Sequence, residues 1–155
     1  MRIICCGNLY RGDDGAGLLV AERLRQLGIE VSTCTGEATE LLEAMDGDDE
    51  VLVVDAVTTG APVGTIHEWH DGTRAFQHSS ATTHALGVAE GLALARVLGN
   101  LPQRLHIYSI EATTFDAGGE ISVELRQAAD ELAHIIAELF QSRSSRLEAN
   151  ASLVL

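Results

Sequence analysis

Lysine is absent from this chain: all ten basic residues among the 155 are arginine. Chemistry that depends on a lysine amine is therefore excluded. Positive charge is scarce as a whole. A formal net charge of −13 argues against nucleic acid and anionic membranes as partners, because both are bound through cationic surfaces. Cysteine is limited to Cys5, Cys6 and Cys34, and no Cys-x-x-Cys spacing suggests a zinc or redox motif. Adjacent Cys5 and Cys6 point to opposite faces of a strand and do not suit a bridge with each other. All three are expected as small buried hydrophobes. No apolar run approaches the roughly 20 residues of a membrane span, and no signal-peptide pattern precedes the first strand. The expected location is a reducing cytoplasm.

What is present fits one α/β domain. The length suits a single domain, and one of this size buries roughly 68–70% of its unfolded surface without a disulfide or metal staple. Apolar content is 46%, within the globular range. Strands are predicted at 2–7, 30–34, 51–57, 65–70 and 104–110. Helices are predicted at 15–27, 39–45, 84–98 and 121–140. On the first helix Ala16, Leu19, Val20, Leu24 and Leu27 share a face; on the last, Leu125, Ala128, Ala129, Leu132, Ile136 and Leu139 do. The third helix is apolar nearly all round, which predicts burial. Residues 51–57 read as a central strand covered on both faces. No helix separates 65–70 from it, so 65–70 is expected to return antiparallel at the sheet edge. Residues 71–83 are polar, without a clear period, and are expected as a loop over the site. The pattern predicts a three-layer α/β/α sandwich around a mostly parallel five-stranded twisted sheet with one antiparallel edge strand. The domain is expected at 1–140, with 141–155 as a loosely held tail.

Three residues fall in βα connections at one predicted rim, where open α/β sheets bind ligands. Asp14 follows the first strand, Asp55 closes the third, and His84 opens a helix. Two carboxylates and an imidazole form a candidate divalent-metal or acid–base site. Each has a plainer reading. Asp13 or Asp14 could cap the first helix, Asp55 could accept backbone N–H bonds, and His84 could cap a helix. Yet a carboxylate ending an apolar strand is costly to bury unless paired or metal-bound. A helix amino terminus also favours a neutral, metal-binding imidazole. Gly7, Gly12 and Gly17 suggest a tight backbone around the acidic pair. No Gly-x4-Gly-Lys-Ser/Thr phosphate loop is present. Glu111 ends the last strand on the same rim and is a candidate outer carboxylate or substrate contact. Arg11 is the nearest base to the acidic pair. His67 and His70 lie on the edge strand without a ligand-like spacing; His134 is expected at the surface.

Taken together, these segments resemble the hydrogenase maturation proteases over about residues 2–138. The features are Gly7-Asn8-Leu9-Tyr10-Arg11-Gly12-Asp13-Asp14-Gly15-Ala16-Gly17, Val54-Asp55-Ala56-Val57 with Gly60-Ala61-Pro62-Val63-Gly64-Thr65, Thr83-His84-Ala85-Leu86-Gly87, and Ile107-Tyr108-Ser109-Ile110-Glu111. The resemblance implies an endopeptidase that trims the C-terminus of the large subunit of nickel–iron hydrogenases. It implies that Asp14, Asp55 and His84 are the metal-contacting, catalytic residues. The metal would be nickel already seated in the precursor subunit, the protein's expected partner. The chain departs from the family pattern at two places. Many members carry glutamate where Asp14 stands, one methylene longer. An Asp-Gly-Gly-Thr-like segment after the second strand is replaced by Thr33-Cys34-Thr35-Gly36-Glu37-Ala38-Thr39, which is more like the subgroup serving soluble, cofactor-linked hydrogenases.

Two other readings compete. A non-catalytic, metal-dependent assembly chaperone on the same fold would carry the same residues. A receiver-type signalling domain also has acids after its first strand and an aspartate ending its third, but needs a lysine at the end of its last strand, where this chain has Glu111. Ser79 and Ser80 are loop residues without an obvious catalytic partner. Cleavage would therefore rely on a metal-activated water or on a carboxylate acting as base.

Overall fold

Apolar residues every second position in the strands, and every third or fourth in the helices, demand that both faces of one sheet be covered. The computed structural model describes residues 1–69, 83–113 and 115–153, with side chains given for all of these but 83–86 and 153. In chain order the elements are β1 (Arg2–Cys6), α1 (Ala16–Gln26), β2 (Ser32–Cys34), α2 (Ala38–Met45), β3 (Glu50–Val57), β4 (Ile66–Trp69), α3 (Thr83–Val97), β5 (Arg104–Glu111) and α4 (Val123–Leu153). They form a five-stranded sheet in the order β2-β1-β3-β5-β4. β1 pairs parallel with β2 and β3, and β3 with β5, while β4 lies antiparallel on β5. The edge strand runs backwards for a simple reason. Residues 58–65 are too few for the crossover that a parallel neighbour needs.

Alternation sorts the side chains into two cores. Ile3, Cys5, Leu52, Val54 and Ile110 pack with Leu24 of α1 and Leu125, Leu132 and Ile136 of α4. Ile4, Cys6, Val51, Val53 and Ile107 pack with Leu41 and Met45 of α2 and Val88 and Leu92 of α3. Each such aliphatic side chain, when fully buried, contributes roughly 1.5–3 kcal/mol. The layers are thus α1/α4, sheet, α2/α3, as the sequence pattern predicts.

Several expectations change in detail. Leu27 and Leu139, assigned to inward faces, are 47% and 38% exposed. Leu27 is the C-cap residue of α1, beside Gly28 with φ +79°, where the chain leaves the helix stripe. α3 is not buried all round: Val88, Leu92 and Ala95 face the sheet, but Leu94, Val97 and Leu98 are exposed. Helix α4 runs on to Leu153, its last turns mostly exposed. That extension lacks an apolar stripe, so periodicity did not reveal it. The Arg143 guanidinium pairs with the half-buried Glu50 carboxylate, which also meets His106 at 3.1 Å. Of residues 71–83, expected as a loop, Thr83 opens α3, and 71–82 lie outside the described residues.

Candidate active site

β1, β3 and β5 are parallel, so their carboxyl ends share a rim. β2 lies to one side of β1 and β3 to the other, which makes the gap between β1 and β3 the topological switch point, the usual ligand crevice of such sheets. Asp14 follows β1, and Asp55 is the sixth residue of β3. Both are buried, at 1% and 3% exposure.

The tight geometry of the β1–α1 connection explains its glycines. Asn8 N–H donates to the Asp14 carbonyl at 3.0 Å, Asp14 N–H to Arg11 at 3.2 Å, and Gly7 N–H to Cys34 at 3.0 Å. A Cβ at Gly7 would stand 2.3 Å from the Asp14 carbonyl oxygen, and one at Gly17 would stand 2.1 Å from that of Cys6. Only an absent side chain permits α1 to approach β1 this closely. A 3-10 turn, Gly12–Gly15, precedes α1, and neither it nor α1 is capped by a side chain. The capping reading of Asp13 and Asp14 is thereby corrected: the turn supplies the helix start through its own backbone.

The adjacent aspartates have different surroundings. The Asp13 carboxylate accepts from the N–H groups of Ser122 at 3.0 Å and Thr113 at 3.2 Å. It clamps the β5–α4 connection. Asp14 instead lies close enough to Asp55 for its charge to act there. Burial pushes the Asp55 carboxyl well above the usual range; the Ala56 N–H opposes this, while Asp14 and Cys34 add to it. Asp55 Oδ2 is buried with no hydrogen-bond partner among the described residues. The plain reading of Asp55, a carboxylate satisfied by backbone, therefore does not account for this oxygen. A second buried carboxylate beside it is the arrangement expected where a positive group is to be received.

A lateral row runs through Asp55. Ser109 is its register partner on β5, and His67 on β4 faces Ser109. On the other side Cys5 pairs with Val54, which places Cys6 one rung on, beside Asp55, and Cys34 partners Cys6. The row faces the α2/α3 layer, as Val53 does. Sequence reasoning missed this row, although the period-two spacing from Val53 to Asp55 and from Ile107 to Ser109 carried its signal. Cys6 and Cys34 are register partners, and their proximity draws the Cys34 thiol down and pushes Cys6 up.

Glu111 lies on the rim, as expected, but its contacts are internal. Its carboxylate accepts from Thr59 N–H at 2.6 Å, Gly60 N–H at 3.0 Å and Thr59 Oγ1 at 2.8 Å, and meets His67 Nε2 at 2.9 Å. It holds the β3–β4 turn. Burial alone would raise its pKa, but these bonds outweigh burial and lower it. His67, discounted for want of a partner spacing, gains its partner from the sheet and stacks on Trp69 at 5.4 Å. His134 is exposed, as expected.

His84 sits in the first turn of α3; its side chain lies outside the described residues, as do His70, His78, Ser79 and Ser80. The backbone nearby is tightly placed. A Cβ at Gly87 would stand 2.0 Å from the Gly36 carbonyl oxygen, so α3's first turns abut the connection beyond the carboxyl end of β2. That brings the start of α3 to the rim occupied by Asp14 and Asp55.

The fold and this rim define a doubly wound α/β protein with an acidic switch-point site. A family model for hydrogenase maturation proteases matches residues 35–139, and the chain belongs to that family of peptidases. Among relatives, it is 27% identical over 133 residues to the hydrogenase expression/formation protein HupD of Thiocapsa roseopersicina, covering 81% of this chain and 60% of HupD. It is 23% identical to protein FrxA of Pyrococcus furiosus, covering 84% and 97% of the two chains. The solved structure of the hydrogenase maturating endopeptidase HybD from Escherichia coli shares the fold, with a TM-score of 0.71 at 24% identity over 92% of this chain and 94% of that one. An endopeptidase from Escherichia coli superposes with a TM-score of 0.74 at 25% identity and the same coverage.

Proposed function

We propose that this protein is a cytoplasmic endopeptidase that removes the C-terminal extension of a nickel-loaded hydrogenase large-subunit precursor, reading the substrate's own nickel. The observation that carries the reading is the Asp14–Asp55 pair: two buried carboxylates at the switch point, with Asp55 Oδ2 lacking a hydrogen-bond partner among the described residues. Family membership supplies the substrate class. In this reading Asp14 and Asp55 offer oxygen ligands and His84 a nitrogen ligand to a cation that the substrate brings, held there by the substrate's own thiolates. A carboxylate and imidazole set suits a borderline divalent ion such as nickel.

The hydrolytic step then needs no nucleophile from this chain. Cys5, Cys6 and Ser109 are fully buried, which accords with attack by water rather than by a protein thiol or hydroxyl. Asp55 is placed to orient that water or take its proton, and the scissile bond would lie just past the last metal-binding cysteine of the substrate. Serine- and cysteine-protease inhibitors should therefore have little effect. The deciding assay mixes this protein with nickel-loaded and nickel-free precursor under identical conditions and weighs the products. Shortening of the nickel-loaded form alone is expected. Equal cleavage of both refutes nickel gating, and firm binding without cleavage favours an assembly chaperone.

A further inference from the structure

We propose that Cys6 and Cys34 form a reversible thiol–disulfide site on the floor of the acidic rim, through which a peroxide-class oxidant switches the site off. The pairing follows from register rather than from sequence spacing. Cys6 and Cys34 are Cα partners on the parallel strands β1 and β2. Neighbouring strands lie about 4.7–4.9 Å apart, inside the usual Cα span of a disulfide, roughly 4.4–6.8 Å. Their side chains share a face and pack in the same core. Both are free thiols. Cys5, the other neighbour by sequence, points into the opposite core.

Position favours the same pair. Cys34 is buried but borders an open groove of about 550 Å³ together with Gly7, Thr33, Thr35 and Glu40, and Cys6 lies deeper, with no exposure. The thiol nearer the groove is the one to take the oxidant, and the deeper one is placed to resolve it. β2 is a three-residue strand at the sheet edge, with a pairing partner on one side only. It can yield to the shorter sulfur–sulfur distance at small cost.

The chemistry balances with peroxide as the oxidant. One peroxide oxygen is transferred to the Cys34 sulfur, giving a sulfenic acid and releasing one water. The Cys6 sulfur attacks that sulfur, the S–S bond forms, and the hydroxyl leaves with the Cys6 proton as a second water. Two electrons pass from the thiol pair to the peroxide. A glutathione-class thiol returns them by exchange.

The structure also supplies a route to the site. Drawing Cys34 toward β1 moves the β2–α2 connection, where the Gly36 carbonyl lies against Gly87 in α3. Three residues before Gly87 is His84. Oxidation would thus displace the start of α3 relative to Asp55, which is the lateral neighbour of Cys6. This consequence for processing, unlike the linkage itself, rests on the function proposed above.

The test uses the full chain, reduced, desalted, exposed to a small excess of hydrogen peroxide, then denatured and alkylated with N-ethylmaleimide. One maleimide, on Cys5, is expected in place of three, with a linked peptide pair carrying Cys6 and Cys34. Dithiothreitol should restore all three. C5S should still link, and C6S and C34S should not. Three alkylated thiols, a Cys34 sulfinic acid with Cys6 alkylated, or undiminished linking in C6S overturns the proposal. In the second arm, processing of nickel-loaded precursor should fall at least tenfold on linking and recover with dithiothreitol, while peroxide leaves C34S unaffected. If the reduced protein itself leaves the precursor uncut, the functional reading fails, and the linkage map alone decides the thiol pair. If linked protein cuts as fast as reduced protein, the coupling through α3 is overturned.

Discussion

Asp13 and Asp14 are chemically identical neighbours in different surroundings. Asp13 holds two partly buried N–H groups across the β5–α4 connection; Asp14 adds unfavourable charge beside Asp55. Hydrogen bonds to a charged acceptor are worth about 1.5–3 kcal/mol, and a chain of this size loses about 2–4 °C in Tm for each kcal/mol. D13A should therefore melt roughly 3–12 °C below wild type, by calorimetry or circular dichroism. D14N should keep the fold, by circular dichroism, yet lose processing of the precursor. If D14N melts well below wild type, Asp14 is structural. The acidic pair was legible in the sequence, but its division of labour was not. Two adjacent aspartates look alike until the β5–α4 connection, a hundred residues on, brings two amides to Asp13.

Among the elements, the α1–β1 contact limits what the chain tolerates. Gly17 lies on the inner face of α1, and its missing side chain lets the helix rest on the Cys6 carbonyl. G17A would gain helix propensity yet force the helix away from the strand that leads into the Asp14 turn. Overpacking of this kind costs about 1–3 kcal/mol. The urea midpoint should fall with the slope m unchanged. A midpoint at or above wild type would show that propensity wins and that the approach is not tight. Element order, the antiparallel edge strand and most inward faces could be read from periodicity, because an apolar stripe records which side is covered. The distal half of α4 could not, since a helix with no buried stripe leaves no period.

For the whole molecule, Glu111 sets part of the acid limit of stability. Its folded-state pKa lies below its usual value, against about 4.3 for an unperturbed glutamate. The folded state thus binds this proton less readily than the unfolded chain. The stabilisation is fully present above the unfolded pKa and is lost as pH falls through the folded one. Unfolding free energy measured from pH 7 downward should therefore decline more steeply in wild type than in E111Q below about pH 4.3. Parallel profiles would mean that Glu111 gains nothing from Thr59, Gly60 and His67. The same network spans β3, β4 and β5, so acid should loosen that side of the sheet first.

The sequence by itself determined the layered α/β architecture, the rim on which Asp14, Asp55 and Glu111 stand, and the family to which the chain belongs. Alternation, helix period and loop length are local records of burial and direction, and they survive in one dimension. The tertiary structure alone decided that the β5–α4 amides clamp Asp13 and that Asp14 lies beside Asp55. It also decided that Glu111 binds a turn and that Cys6 meets Cys34 instead of Cys5. Those outcomes depend on strand order and register, which bring together residues far apart along the chain, and no local pattern encodes them.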